Sequence, residues 1–229
     1  MSKILDKIVE AFKWPLAVYM LLSLPACLQF FWSYPYSFRN FMDTAVIAGF
    51  IFFFFCRTMM DSNMRQSMEV VAHELTHTFF ALLTLHKVKS IRVNPDDTGG
   101  AMAFEGEGNW LITISPYFFP LFGFFAMIGI SVYLNFAPFS NILGGIIGFF
   151  IGYHLDTVGS QIHEKQTDLP KVSYKFCVMF LPAANLMAVE SMIIFNRWGW
   201  SGIGYYFSSL NEKTWLNLRI AYNFVLSVL

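Results

Sequence analysis

Charge is scarce in this chain: only 13% of its 229 residues are Asp, Glu, Lys or Arg, about half the share usual in a soluble domain. Fifteen Lys and Arg balance fifteen Asp and Glu, so no basic field exists to hold a polyanion, and nucleic acid is excluded as an expected partner. Cysteine is scarce as well. Cys27, Cys56 and Cys177 lie in or beside apolar runs without C-x-x-C spacing, which points neither to a disulfide framework nor to a thiolate metal site. No internal repeat or low-complexity linker interrupts the chain. Its Lys-rich first fourteen residues precede an apolar run without a clean small-residue cleavage site, so they are expected to stay in the mature protein.

What is abundant is apolar surface. Hydrophobic residues make up 56% and aromatics 19%, with 27 Phe, the composition of an all-α polytopic membrane protein built as one integral membrane domain over residues 1–229. A crossing helix needs about 20 apolar residues. Six stretches are candidates: 15–32, 42–56, 67–85, 110–134, 141–160 and 174–195, the second marginal in length, with a short seventh at 215–229. The expectation is about six transmembrane helices. Pro25 and Pro35 could break the first, and Pro116 and Pro120 predict a kink in the fourth.

Between the third and fourth stretches, Val88-x-x-Ile91-x-Val93 alternates, a turn-rich run 94–100 follows, and 101–104 is apolar again. This reads as a β-hairpin. Because an open strand edge cannot face lipid, it must lie at the interface or in a protein-lined cavity. Lys87, Lys89, Arg92, Lys165, Lys171 and Lys175 collect on the hairpin side, whereas 135–140 has no Lys or Arg, so the hairpin is expected in the cytosol. Counting helices backward places Lys3, Lys7 and Lys13 on the opposite side if both early stretches cross. The charge rule then favours one early stretch that does not cross.

The third stretch carries His73-Glu74-Leu75-Thr76-His77, an H-E-x-x-H motif. At about 100° per residue the two imidazoles sit one turn apart on one face and can share a Zn²⁺. Glu74 lies beside them, placed to take a proton from the attacking water. Core histidines are the poorer reading, since two imidazoles and a carboxylate in hydrocarbon are expensive unless they serve a function.

Catalytic zinc takes a third protein ligand, and His154, Asp156, His163 and Asp168 are the candidates. Gly144, Gly148, Gly152 and Gly159 form a small-residue stripe on the fifth stretch. Asp156 falls near that stripe and His154 among residues expected to face lipid. Asp156 and His77 also stand at similar depth, roughly 13 Å below one surface. Asp156 is therefore the expected third ligand, with Asp168, carried inward by a re-entrant loop, as its main competitor; His163 reads as solvated. Glu69 could orient an imidazole or simply be interfacial, and His86 reads as interfacial. Glu190 should pair with a partner, and Asn185 could line the same cavity.

The stretch 71–125, with H-E-L-T-H, the Ala81-Leu82-Leu83-Thr84-Leu85-His86-Lys87-Val88 entry into Ile91-Arg92-Val93, the Asp97-Thr98-Gly99-Gly100 turn and Ser115-Pro116-Tyr117, resembles the site-2 protease family of intramembrane zinc metalloproteases. It is most similar to compact bacterial members without a PDZ domain. The resemblance implies zinc held by His73 and His77 below the cytosolic surface of a bacterial inner membrane, Glu74 as catalytic base, and an Asp returned by a later helix. It also implies a membrane-protein substrate. Thr76 replaces the usual small residue before the second His, and Leu155-Asp156-Thr157 keeps Leu-Asp but not Gly of the family's L-D-G. Two other readings remain: a zinc-dependent membrane hydrolase acting on a lipid amide or ester, and a non-catalytic metal-binding membrane module.

Overall fold

A computed structural model describes residues 1–33, 41–93, 100–138, 140–163 and 166–228. The chain forms helices α1 (Ser2–Ser33), α2 (Phe41–Met59) and α3 (Ser62–Leu83), then strands β1 (Val88–Val93) and β2 (Gly100–Phe104). Helices α4 (Trp110–Ile114), α5 (Leu121–Tyr133), α6 (Asn141–Gln161), α7 (Asp168–Val172) and α8 (Tyr174–Val228) follow. The architecture is that of an all-α membrane protein with a small two-stranded sheet. Among the described residues, three helices are long and apolar enough to cross a bilayer, or four if a bent pair counts as one crossing.

The bent pair is the kink expected from proline. Trp110–Tyr117 and Leu121–Tyr133 meet at 81°, because Pro116 opens a 3-10 turn and Pro120, at the start of α5, cannot donate to the preceding turn. Pro15 and Pro25, by contrast, lie within an unbroken α1; Pro35 falls outside the described residues. Helix α8 breaks at Gly199, whose φ of +62° a side chain would strain.

Small residues set the packing, as expected where lipid supplies no hydrophobic drive between helices. Ala17 and Ala26 of α1 and Ala183 and Ala184 of α8 are buried in one core. Trp14 meets Phe176 at one end of this pair, and Phe30 meets Tyr206 at the other. The glycine stripe on α6 seats α2. A Cβ on Gly148 would lie 1.8 Å from the Val46 carbonyl, and one on Gly49 would lie 1.9 Å from that of Gly145. Further along, Gly152 faces Phe53, and Arg57 reaches Asp156. The contacts advance together, so α2 and α6 run parallel.

The hairpin pairs antiparallel, Ile91 opposite Met102 and Val93 opposite Gly100, with an irregularity between Val88 and Ser90. Its expected turn at 94–99 lies outside the described residues. At its base Asp6 of α1 accepts from Asn109 (2.7 Å) and pairs with His86 (3.1 Å), while Trp110 donates through its indole to the Val9 carbonyl. The start of α1 therefore sits beside the hairpin.

Lys3 and Lys7 of α1 thus lie at the hairpin's end of the bundle, and helix α3 leads from the end of α2 into the hairpin. His86 is buried, between Asp6 and Thr84 Oγ1.

Candidate metal centre

Asp61 caps α3 by accepting from the Met64 N–H, and the helical repeat then turns His73 and His77 to one side. Their Nε2 atoms lie 3.0 Å apart. The carboxylate of Asp168 joins them, with Oδ2 at 3.3 Å from His73 Nε2 and 3.4 Å from His77 Nε2. Asp168 opens α7, the short helix after α6.

The far side of each ring fixes what the near side offers. His77 Nδ1 lies 2.7 Å from the Ile112 carbonyl; a carbonyl only accepts, so Nδ1 carries the proton and Nε2 a lone pair. His73 Nδ1 lies 3.1 Å from Gln161 Oε1. Because Gln161 donates through Nε2 to the Glu69 carbonyl (3.3 Å), its oxygen faces His73, and His73 Nε2 is also left as a lone pair. Two imidazole lone pairs and a carboxylate oxygen thus converge on one point. Without a cation between them they repel. Two imidazoles and a carboxylate are a donor set that suits Zn²⁺, with the outer hydrogen bonds typical of such sites.

Asp168 is held as the ion. The Lys171 ammonium, 3.0 Å from Oδ1, favours the charged carboxylate. Tyr117 completes the surroundings, its hydroxyl 3.4 Å from Asp168 Oδ2 and its ring edge-on to His73. Glu74 is buried on the same helix, under β2: a Cβ on Gly100 would come within 2.6 Å of its side chain.

Asp156, the expected third ligand, is not brought to the histidines. It pairs with Arg57 at 2.6 Å. The glycine stripe did turn it toward a neighbouring helix, but that neighbour is α2, not α3. His154 does not face lipid; at 3% exposed it meets Asn185 Oδ1 at 3.1 Å. His163 is exposed. Glu69 contributes through its backbone carbonyl, by way of Gln161. Glu190 pairs with Tyr206 at a distance from the cluster, and Asn185 does not share that site. Tyr117, Gln161 and the Ile112 carbonyl escaped the sequence reading. Gln161, a polar residue closing an apolar helix one turn past Thr157, was the one with a visible signal.

Residues 44–153 match the family model described as Peptidase M50B-like.

The match bears out the resemblance to site-2 proteases over just under half of the chain. It includes the H-E-x-x-H helix, the hairpin and the α4–α5 bend, and ends before Asp156 and Asp168. No curated protein and no solved structure matches significantly. The match supports an intramembrane metallopeptidase in general.

Proposed function

We propose that this protein is a zinc-dependent intramembrane protease that hydrolyses a peptide bond in or near a transmembrane segment of another membrane protein. The observation that carries the reading is the convergence of the His73 and His77 lone pairs with the Asp168 carboxylate. His73, His77 and Asp168 would hold the metal. Zinc, when bound, supplies Lewis acidity that polarises the scissile carbonyl and acidifies water. Glu74 takes the proton of the attacking water and passes it to the departing amine, the work of a general base and then of a general acid. Its burial beneath β2 keeps bulk water from competing for that proton.

Substrate delivery follows from the hairpin. A transmembrane helix shields its amides in hydrogen bonds, so the reacting segment must be unwound first. Strand addition to the hairpin would hold it extended, and β2, packed on Glu74, would deliver it beside the base. Gly or Pro in the substrate segment should favour cleavage.

The test pairs metal with turnover in the full-length protein in detergent. Zinc by elemental analysis is expected at about one per chain, lost in His73→Ala and Asp168→Ala and kept in Asp156→Ala. Glu74→Gln should keep the zinc and lose cleavage of a transmembrane peptide by about 10²–10⁴-fold. Undiminished proteolysis in Glu74→Gln would sink the mechanism. Consumption of a dispersed lipid extract, with the peptide left intact, would move the activity to a lipid amide or ester.

A further inference from the structure

A part-buried chain of hydrogen bonds leads from α6 and α8 toward Asp168. His154 of α6 meets Asn185 Oδ1 of α8 at 3.1 Å. The Asn185 amide donates to the Tyr117 carbonyl at 2.9 Å and to that of Leu181 at 3.0 Å. Both of its N–H bonds are thereby used, which leaves Oδ1 as acceptor and assigns the His154 Nε2 proton. Tyr117, on the 3-10 turn at the proline bend, then points its hydroxyl at Asp168 Oδ2.

Tyr117 and His154 are closed to water, and Asn185 between them is half-buried. Tyr117 is 0% exposed and His154 3%. A buried phenol needs a partner, and Asp168 is the one within reach among the described residues. The carboxylate's other oxygen is met by Lys171, a side chain 64% exposed to solvent. Tyr117 is thus its only anchored donor among the described residues. Asp168 itself stands on a helix of five residues, where its contact within the helix is with the exposed Lys171.

We infer that Tyr117 is a positioning residue: its hydroxyl, braced through Asn185 by His154, fixes the Asp168 carboxylate in register with His73 and His77. This rests on the metal-ligand reading above. A donor to a ligating carboxylate orients it and trims its charge, and loss of such a partner typically weakens metal binding about 10–100-fold. The same chain ties α6, α8 and the bend between α4 and α5 to the metal set.

Zinc affinity of the full-length protein, measured by competition with a chelator, tests this beside the absorption bands of the cobalt(II)-loaded protein. Tyr117→Phe removes one oxygen and should raise the zinc dissociation constant about 10–100-fold and shift the cobalt bands, with the helical circular dichroism unchanged. Asn185→Ala should move both in the same direction by less, and it carries the test if Tyr117→Phe does not fold. A general loss of stability would lower the melting temperature but leave the bands of the loaded fraction where they were. Wild-type affinity and unshifted bands in a folded Tyr117→Phe would overturn the inference while leaving the metal reading intact. A wild type that takes up no zinc, or an Asp168→Ala that binds it as tightly as wild type, would overturn the ligand assignment itself and this inference with it.

Discussion

Asp156 and Asp168 show how far a single residue can be read. Both are acids near the end of the same apolar helix, and depth and helical phase favour Asp156; yet Arg57, 99 residues earlier, claims it. No pattern along the chain announces that pairing, because it depends on α2 lying parallel to α6. The H-E-x-x-H pair was legible because its geometry is local to one helical turn. The proposed third ligand was not, because a five-residue helix beyond the end of α6 carries Asp168 back. The Arg57–Asp156 pair is part-exposed on the arginine side, so Asp156→Asn is expected to cost about 1–2 kcal/mol of stability. Thermal unfolding in detergent should show that loss while zinc content stays at the wild-type level.

Among the elements, helix positions followed from apolar runs and the hairpin from alternation and turn residues. Helix α3 was counted as a crossing, but it is not among the described helices that are long and apolar enough to be one. The interface between α2 and α6 offers a sharp test. At Gly148 a new Cβ would strike backbone, which cannot move aside, whereas at Gly159 nothing lies within 4 Å. Gly148→Ala should therefore destabilise by about 1–3 kcal/mol or more, and Gly159→Ala should be neutral or stabilise by up to about 1 kcal/mol. Equal melting temperatures for the two variants would contradict this packing.

For the whole molecule, the contact of Asp6 with His86 and Asn109 puts the amino-terminal lysines and the hairpin at the same end. In a cysteine-free background, Lys3→Cys and Lys89→Cys should react with a membrane-impermeant reagent from one side of sealed vesicles, and Asn135→Cys from the other. Labelling of the first two from opposite sides would refute the arrangement. Such an end-to-end layout is invisible to a count of apolar runs.

His73 and Asp168 stand 95 residues apart, and this spacing bears on how the protein is made. A ribosome releases the two imidazoles and the base long before the carboxylate that completes the set. Through that interval the emerging chain holds H-E-x-x-H without its third ligand. In the proposed ligand set, hydrolytic competence therefore waits until α7 has been made and lies beside α3, and a chain that has released only H-E-x-x-H poses little danger to its neighbours in the bilayer.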